Sequence, residues 1–434
     1  MAKEQSYLGM DFGTSNSAIA FTTQEGETQF IPVQTGKTTQ PSCLYLDAEE
    51  MFSCVGYRAI YEYMSPKKND NYHFVPSIKP GLHIKDYNGI TLVSDQRTRE
   101  PKRPKLAYFS VEEMAGMVID DLTAYANMAL GYRPENVVMG RPVRFSEKPE
   151  DDKRAQDRLE KAAQIKGYKN VNFVHEPVAA GVYAQSQKPV GSEQIALVFD
   201  FGGGTLDTAC IRITPGEFNG SEDLQQRVLS AHGIDLGGTD LDKDIFRDRV
   251  VPNLGQHAAF GSAKLPIPAG YYADLTEWHL QNDTEKAKVM SGIDDILYQG
   301  VNDPKGIKAL RAMLQGQEVY QVLQAIETGK VALSLTDKTR VSYHSKDIEV
   351  AFDFNRTSYE QIIRQRISEI EMCILECLVT AGVEYDQVDT VIKVGGSSQN
   401  PFVDKLLRSQ FKDVSSTNTF NAVAGGLAII GSRL

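Results

Sequence analysis

Two stretches of this chain repeat one another: residues 7–21 read YLGMDFGTSNSAIAF, and residues 196–211 read ALVFDFGGGTLDTACI. Each is an apolar run, then Asp-Phe-Gly, then a turn of small residues, then a second apolar run, the pattern of a β-hairpin. Asp11, Phe12 and Gly13 thus recur as Asp200, Phe201 and Gly202. A looser pair sets NVVMGRPV at 136–143 against TVIKVGGSS at 390–398, each a branched apolar strand running into a Gly-containing loop. A third sets EPVAAGVYA at 176–184 against NAVAGGLAI at 421–429, with Val178/Val423, Ala179/Ala424 and Gly181/Gly426 in step. An ordered set of three predicts two related halves. Helical stretches lie between the strands. Ser110 and Glu113 predict a capping box opening a helix over 110–130, and 358–381 opens the same way at Ser358. Alternating strands and helices place the chain in the α/β class, with sheets covered on both faces. The weakly patterned part, 252–325, carries several Gly and Pro and the only tryptophan, Trp278, and reads as an elaborated subdomain.

Composition narrows the function classes. With 434 residues, 41% hydrophobic and 24% charged, the chain can build two or three domains and has too few charges for a disordered one. Its 46 basic and 57 acidic residues give a net charge of −11, which argues against nonspecific binding to nucleic acid or anionic membrane. The one basic cluster, KRPK at 102–105, sits in a Pro-rich loop and reads as solvated. The N-terminus has no apolar signal region, and AVAGGLAIIG at 422–431 is too short to span a bilayer, so a cytoplasmic protein is expected. The five cysteines are odd in number, scattered and never spaced CxxC, which indicates neither a disulfide framework nor a zinc site. Cys373 and Cys377, four apart on a helix, read as buried small hydrophobes.

The chemistry concentrates in the two turns, DFGTSNS and DFGGGTLD. Gly202, Gly203 and Gly204 have no Cβ, so the backbone can turn several N–H groups toward a polyanion. Thr14, Ser15 and Thr205 add hydroxyl donors. Asp11, Asp200 and Asp207 bring carboxylates to the same place, which is costly without a cation, and Mg²⁺ suits a few carboxylates plus phosphate oxygens. One such turn alone would be a tight hairpin and no more. Two, each opened by Asp, point to phosphate. The loop at 391–407 puts Gly395 and Gly396 after a strand and starts a helix near Asn400 with Pro401 in its first turn. This is either a helix N-terminus approached by a ligand or a plain strand–turn–helix joint. Gly237 and Gly238, after a strand ending at Ser230, could close over phosphate.

With these residues in view, the segments 7–21, 174–186, 196–211, 233–242 and 391–407 resemble, in content and order, the phosphate-one, connecting, phosphate-two and adenosine motifs of the DnaK-type heat-shock chaperones. Within that family the likeness is to its short, divergent YegD-like members. The resemblance implies two duplicated actin-like (ribonuclease-H-like) lobes with a nucleotide cleft between them. It divides them at 1–190 and 191–434, with a subdomain at about 240–335 elaborating the second lobe and the C-terminal helix packing back on the first. It implies ATP or ADP as ligand, Mg²⁺, and K⁺ as a further candidate cation. By motif, Gly13, Thr14, Ser15, Asn16, Gly202, Gly203, Gly204, Thr205, Gly237 and Gly238 look like the phosphate-binding positions. Asp11 and Asp207, with Asp200 beside them, look like the carboxylates around the metal. FVPSIKPGL at 74–82 is similar to the segment bearing the family's phosphate-contacting lysine, here Lys79, and Glu176 matches the glutamate near the attacking water. Glu327, Lys330 and Ser334 match the adenosine-binding helix, while Gly395, Gly396, Ser397 and Gln399 match the adenosine loop.

Three positions depart from the family. Gln399 stands where an arginine often stacks on adenine, Thr239 where an acidic residue commonly follows the second glycine pair, and Phe420 at an acidic position before the last helix. Nothing after residue 431 resembles the family's linker or its β-rich peptide-binding domain, so coupled capture and release of clients does not follow from the resemblance. The expected function is an ATP-binding, slowly ATP-hydrolysing chaperone-like protein, with an unidentified protein partner or client. Two alternatives stay open: a nucleotide-switched scaffold or filament protein, and a small-molecule kinase of the same superfold, which would need an aspartate base facing an acceptor alcohol.

Overall fold

The computed structural model describes residues 7–65, 72–94, 105–188, 191–216, 220–273, 275–276, 283–316, 318–416 and 420–434. The N-terminal six residues, residues 102–104 of the basic cluster and Trp278 lie outside them. By compactness the chain forms two units: Met1–Gly238 with Glu369–Gln399 and Val403–Leu434, and Thr239–Ser368 with Asn400–Phe402.

The first unit is α/β and carries the duplication in its strand order. In one sheet the hairpin Tyr7–Phe12/Asn16–Thr22 continues antiparallel to Thr28–Phe30 on one side and parallel to Asn136–Arg141 and then Asn170–His175 on the other; Thr39–Pro41 also pairs with Asn16–Thr22. In the other, Gln194–Phe201/Leu206–Ile213 continues antiparallel to Val228–Ile234 and parallel to Thr390–Val394 and Val414–Ser416. The two paths are the same, strand for strand. The stretches paired by sequence occupy matching places: the first hairpins, the strands Asn136–Arg141 and Thr390–Val394 that run parallel beside them, and the helices Glu176–Gln187 and Ala422–Gly431.

These two helices pack against one another, and their small residues explain how closely. A Cβ on Gly426 would overlap the backbone of Ala179, and one on Gly425 would strike the Tyr183 ring. The Ala422–Gly431 helix lies on the first strand, where a Cβ on Gly9 would meet the backbone at Ala424 and Ala428. The Glu176–Gln187 helix lies on the second sheet, with Gly181 against Ile211 and Val198. Each half therefore sends its helix to the other half's sheet. The core between them joins Val138, Val178, Tyr183, Val198, Ile211, Val423, Leu427 and Ile430, with Phe30 edge-on to Tyr183 at 5.6 Å between ring centroids.

Local signals acted where expected, with two corrections. Ser110 caps the helix Val111–Leu130: its Oγ accepts from the Glu113 N–H at 3.1 Å, and the Glu113 carboxylate accepts from the Ser110 N–H at 2.8 Å. The long helix begins at Arg356 rather than Ser358, because Asn355 takes the cap: its Oδ1 accepts the Ser358 N–H at 2.9 Å. The strand ahead of Gly237 runs on to Ile234, paired with Leu206, and does not end at Ser230.

The second unit holds the helices Asp283–Gln299, Pro304–Gly316 and Val319–Ala332 and the hairpin Lys338–His344/Glu349–Asn355. Gly329 gives the hairpin room to close on the Val319–Ala332 helix, since a Cβ there would strike Val341. Among the described residues, no helix is long and apolar enough to cross a membrane.

Candidate functional site

Five ionisable side chains from five segments of the first unit converge. Asp11 is the next-to-last residue of the first strand, and Asp200 and Asp207 face each other across the second hairpin. Lys79 lies in the turn after Tyr72–Val75, and Glu176 opens the Glu176–Gln187 helix with Pro177 in its first turn. Lys79 Nζ donates to Glu176 Oε1 at 2.7 Å, and both side chains are buried. Gly140 faces this pair, where a Cβ would press on Glu176 Cγ at 3.0 Å.

The carboxyls feel their burial and each other. Desolvation, then the Glu176 carboxylate, push Asp11 up to about 7, against the pull of Lys79. Asp207 is likewise pushed up to about 7 by burial and Glu176, although the Thr205 hydroxyl and the Val143 N–H, at 2.6 Å from Oδ1, favour its charged form. Asp200 is raised well above the usual carboxylate range, first by burial, then by Glu176, Asp207 and Asp11. For Lys79 the largest effect, burial, opposes the charge, but Glu176 and Asp11, with smaller help from Asp207, outweigh it and raise the pKa.

One positive and four negative groups share this desolvated space. That excess of carboxyl groups over the single ammonium fits a cation. Among the described residues no three His, Cys, Asp or Glu side chains could ligate one ion together. An ion that keeps its waters, as Mg²⁺ does, needs only a few carboxylates of this kind nearby.

Beside the carboxylates the two turns meet. A Cβ on Gly203 would overlap Ser15 Oγ, and one on Gly204 would overlap Thr14 Oγ1, so only glycine lets the hydroxyls and the backbone come this close. Ser77 Oγ donates to the Thr14 carbonyl at 2.7 Å and fixes the first turn to the segment carrying Lys79. Gly13 and Asn16 close that turn, with the Asn16 carbonyl where a Cβ of Gly13 would be. In the second turn the Gly202 N–H donates to the Thr205 carbonyl at 3.0 Å. The Gly238 N–H donates to the Gly202 carbonyl at 3.0 Å, and a Cβ on Gly237 would overlap the Gly203 backbone. Gly395, at φ +77°, sits over the Phe201 carbonyl and beside Asp200, while Gly238 abuts the Ser397 hydroxyl. All of these residues belong to one unit.

The family model described as Hsp70 protein matches residues 7–255 and 296–434. The chain belongs to the Hsp70 family. Its relatives include the chaperone protein DnaK of Mycoplasmopsis agalactiae, 25% identical over 444 residues covering all of this chain and 59% of that protein. The DnaK of Cyanidium caldarium is 26% identical over 445 residues, covering 98% of this chain and 60% of that protein. A chaperone HscA homolog of Histophilus somni is 23% identical, covering 97% of this chain and 57% of that protein. The chain thus spans less than two thirds of the length of each.

Not every sequence candidate of this Hsp70 lies in the cluster. Glu327, Lys330 and Ser334 belong to the second unit, on and just after the Val319–Ala332 helix. There Lys330 Nζ donates to Asp242 Oδ2 at 2.7 Å. Burial, then Glu327 and Asp240 against the pull of Lys330, push Asp242 up to about 7. Gln399 turns back on its own loop, donating to Ser398 Oγ at 3.3 Å, and Gly396 lies under Phe420. The sequence reading missed Asp242, Ser77 and the Val143 N–H. Ser77 stands two residues before Lys79, and Asp242 closes the segment 233–242. The Val143 donor is main chain and has no residue-type signal.

Proposed function

We propose that this chain binds Mg-ATP in its first unit and hydrolyses it slowly to ADP and phosphate, as a chaperone-like protein acting on an unidentified client or partner. The observation that carries this reading is the buried Lys79–Glu176 pair set among Asp11, Asp200 and Asp207 beside two touching small-residue turns. In this reading the lobes are 1–190 and 191–434, with about 240–335 elaborating the second and the C-terminal helix returned to the first.

The backbone N–H groups of the Gly13–Asn16 and Gly202–Thr205 turns, with the hydroxyls of Thr14, Ser15 and Thr205, would bind the phosphates. When bound, Mg²⁺ would neutralise phosphate charge, held through its waters by Asp11, Asp200 and Asp207. A lysine ammonium has three donors, so the bond to Glu176 leaves Lys79 two for oxygens of the transferring phosphoryl group. Held by Lys79 through one oxygen, Glu176 would accept from the attacking water through the other. K⁺ is a further candidate cation for this anionic site, as the resemblance implies. Glu327, Lys330 and Ser334 are adenosine candidates by the resemblance alone, and within the second unit Lys330 is paired with Asp242.

Thermal unfolding with and without ligand tests the reading. Mg-ATP at a hundred times its dissociation constant should add about 2.7 kcal/mol of stability and raise Tm. An unchanged Tm in millimolar Mg-ATP would sink it.

A further inference from the structure

We propose that Phe420 is the platform on which the base of the bound nucleotide stacks, and so the residue that makes the site prefer a nucleoside phosphate over phosphate alone. The proposal rests on the nucleotide reading above.

Phe420 is 56% exposed and stands just ahead of the Ala422–Gly431 helix. A scattered exposed apolar residue is ordinary on a protein surface. This one has a particular place. Its Cε1 and Cζ lie 3.1 and 3.6 Å from where a Cβ of Gly396 would be, so the ring covers the backbone of the loop following strand Thr390–Val394. That loop is continuous with the phosphate turns. The Gly202 carbonyl accepts from Gly238, Gly238 abuts Ser397, and Ser397 adjoins Gly396 beneath the ring.

Because the loop under Phe420 touches the glycine turns, a ligand with its phosphates on those turns is within reach of this loop with its base. A planar base needs an apolar face there. Gln399, the nearby long side chain of the same loop, bonds to Ser398 Oγ and offers an amide instead of a ring. Phe420 supplies an aromatic ring more than half exposed, and bases of any sequence stack on aromatic side chains. Glycine at 396 is what lets the ring sit this low, because any side chain there would have to displace it.

Calorimetric titration of the full chain with Mg-ADP and with Mg-pyrophosphate tests this, using Phe420→Ala and Phe420→Trp. We expect Phe420→Ala to weaken Mg-ADP at least about five-fold, the low end of what losing a base-stacking partner costs. Mg-pyrophosphate should bind both proteins within two-fold, and Phe420→Trp should restore Mg-ADP affinity. Mg-ADP binding to Phe420→Ala within two-fold of the parent overturns the proposal, and so does an equal loss for pyrophosphate. A parent that binds pyrophosphate but not Mg-ADP, or neither, overturns the nucleotide reading and the proposal with it.

Discussion

At the scale of single residues, the position of Lys79 decides what its removal should do. Truncating one partner of a buried ion pair leaves the other charge without compensation, at a cost of about 3–5 kcal/mol. Lys79→Ala should therefore destabilise the metal-free protein as well as slow ATP turnover ten-fold or more, about 1.4 kcal/mol or above in barrier. The double variant Lys79→Met with Glu176→Gln separates the two effects, because it removes both members of the ion pair and leaves neither without its partner. Its unfolding midpoint in denaturant should return most of the way to the parent value while turnover stays low. Recovery of turnover with stability would mean that the pair is only structural.

The carboxyls give a pH dependence of definite sign. Asp11 and Asp207 sit at about 7 in the fold, against about 3.9 in an unfolded chain. Between those values the native state binds more protons than the unfolded one, so their contribution to stability is largest at the acid end and falls as pH rises through 7. In EDTA, unfolding free energies from pH 5 to 8 should thus fall more steeply for the parent than for Asp207→Asn. His83, His175 and His232, lowered by burial first of all, act in the opposite direction, but they are common to both proteins. Equal slopes would remove Asp207 from the cluster. Asp11 and Asp200 were legible in the sequence because they recur at the same offset before a glycine turn, and Asp207 because it closes the second of those turns. Lys79 was not legible locally, since a lysine between prolines usually reads as a solvated charge, and only the resemblance singled it out.

At the scale of elements, close packing of the Glu176–Gln187 and Ala422–Gly431 helices is the joint between the two halves. Gly426→Ala would place a methyl group into the backbone at Ala179, where no flexible side chain can yield. It should cost about 1–3 kcal/mol in chemical denaturation, as overpacking does. Gly191→Ala, with open space around it, should stay within about 0.5 kcal/mol of the parent. Similar values for the two would show that the helices separate easily. The paired helices were readable from sequence because small residues had to recur wherever backbones approach. Less readable was 252–325, where Pro and Gly near 252–270 hid the regular helices Asp283–Gln299 and Pro304–Gly316 that follow. The start of the Arg356–Ala381 helix was misplaced because Asn355 and Ser358 both carry capping groups, and the structure uses Asn355.

At the scale of the whole molecule, the central proposal is that this chain turns over ATP through Lys79, Glu176 and a Mg²⁺ site. Membership of the Hsp70 family does not by itself establish turnover, since the chain spans 57 to 60% of the relatives described above. Single-turnover hydrolysis measures it directly: excess protein is mixed with ATP and Mg²⁺, and ADP is followed with time. The expected result is slow, Mg²⁺-dependent conversion that stops in EDTA and is at least ten-fold slower in the Lys79→Met, Glu176→Gln double variant. A parent that binds Mg-ATP yet converts it no faster than the double variant would contradict the account.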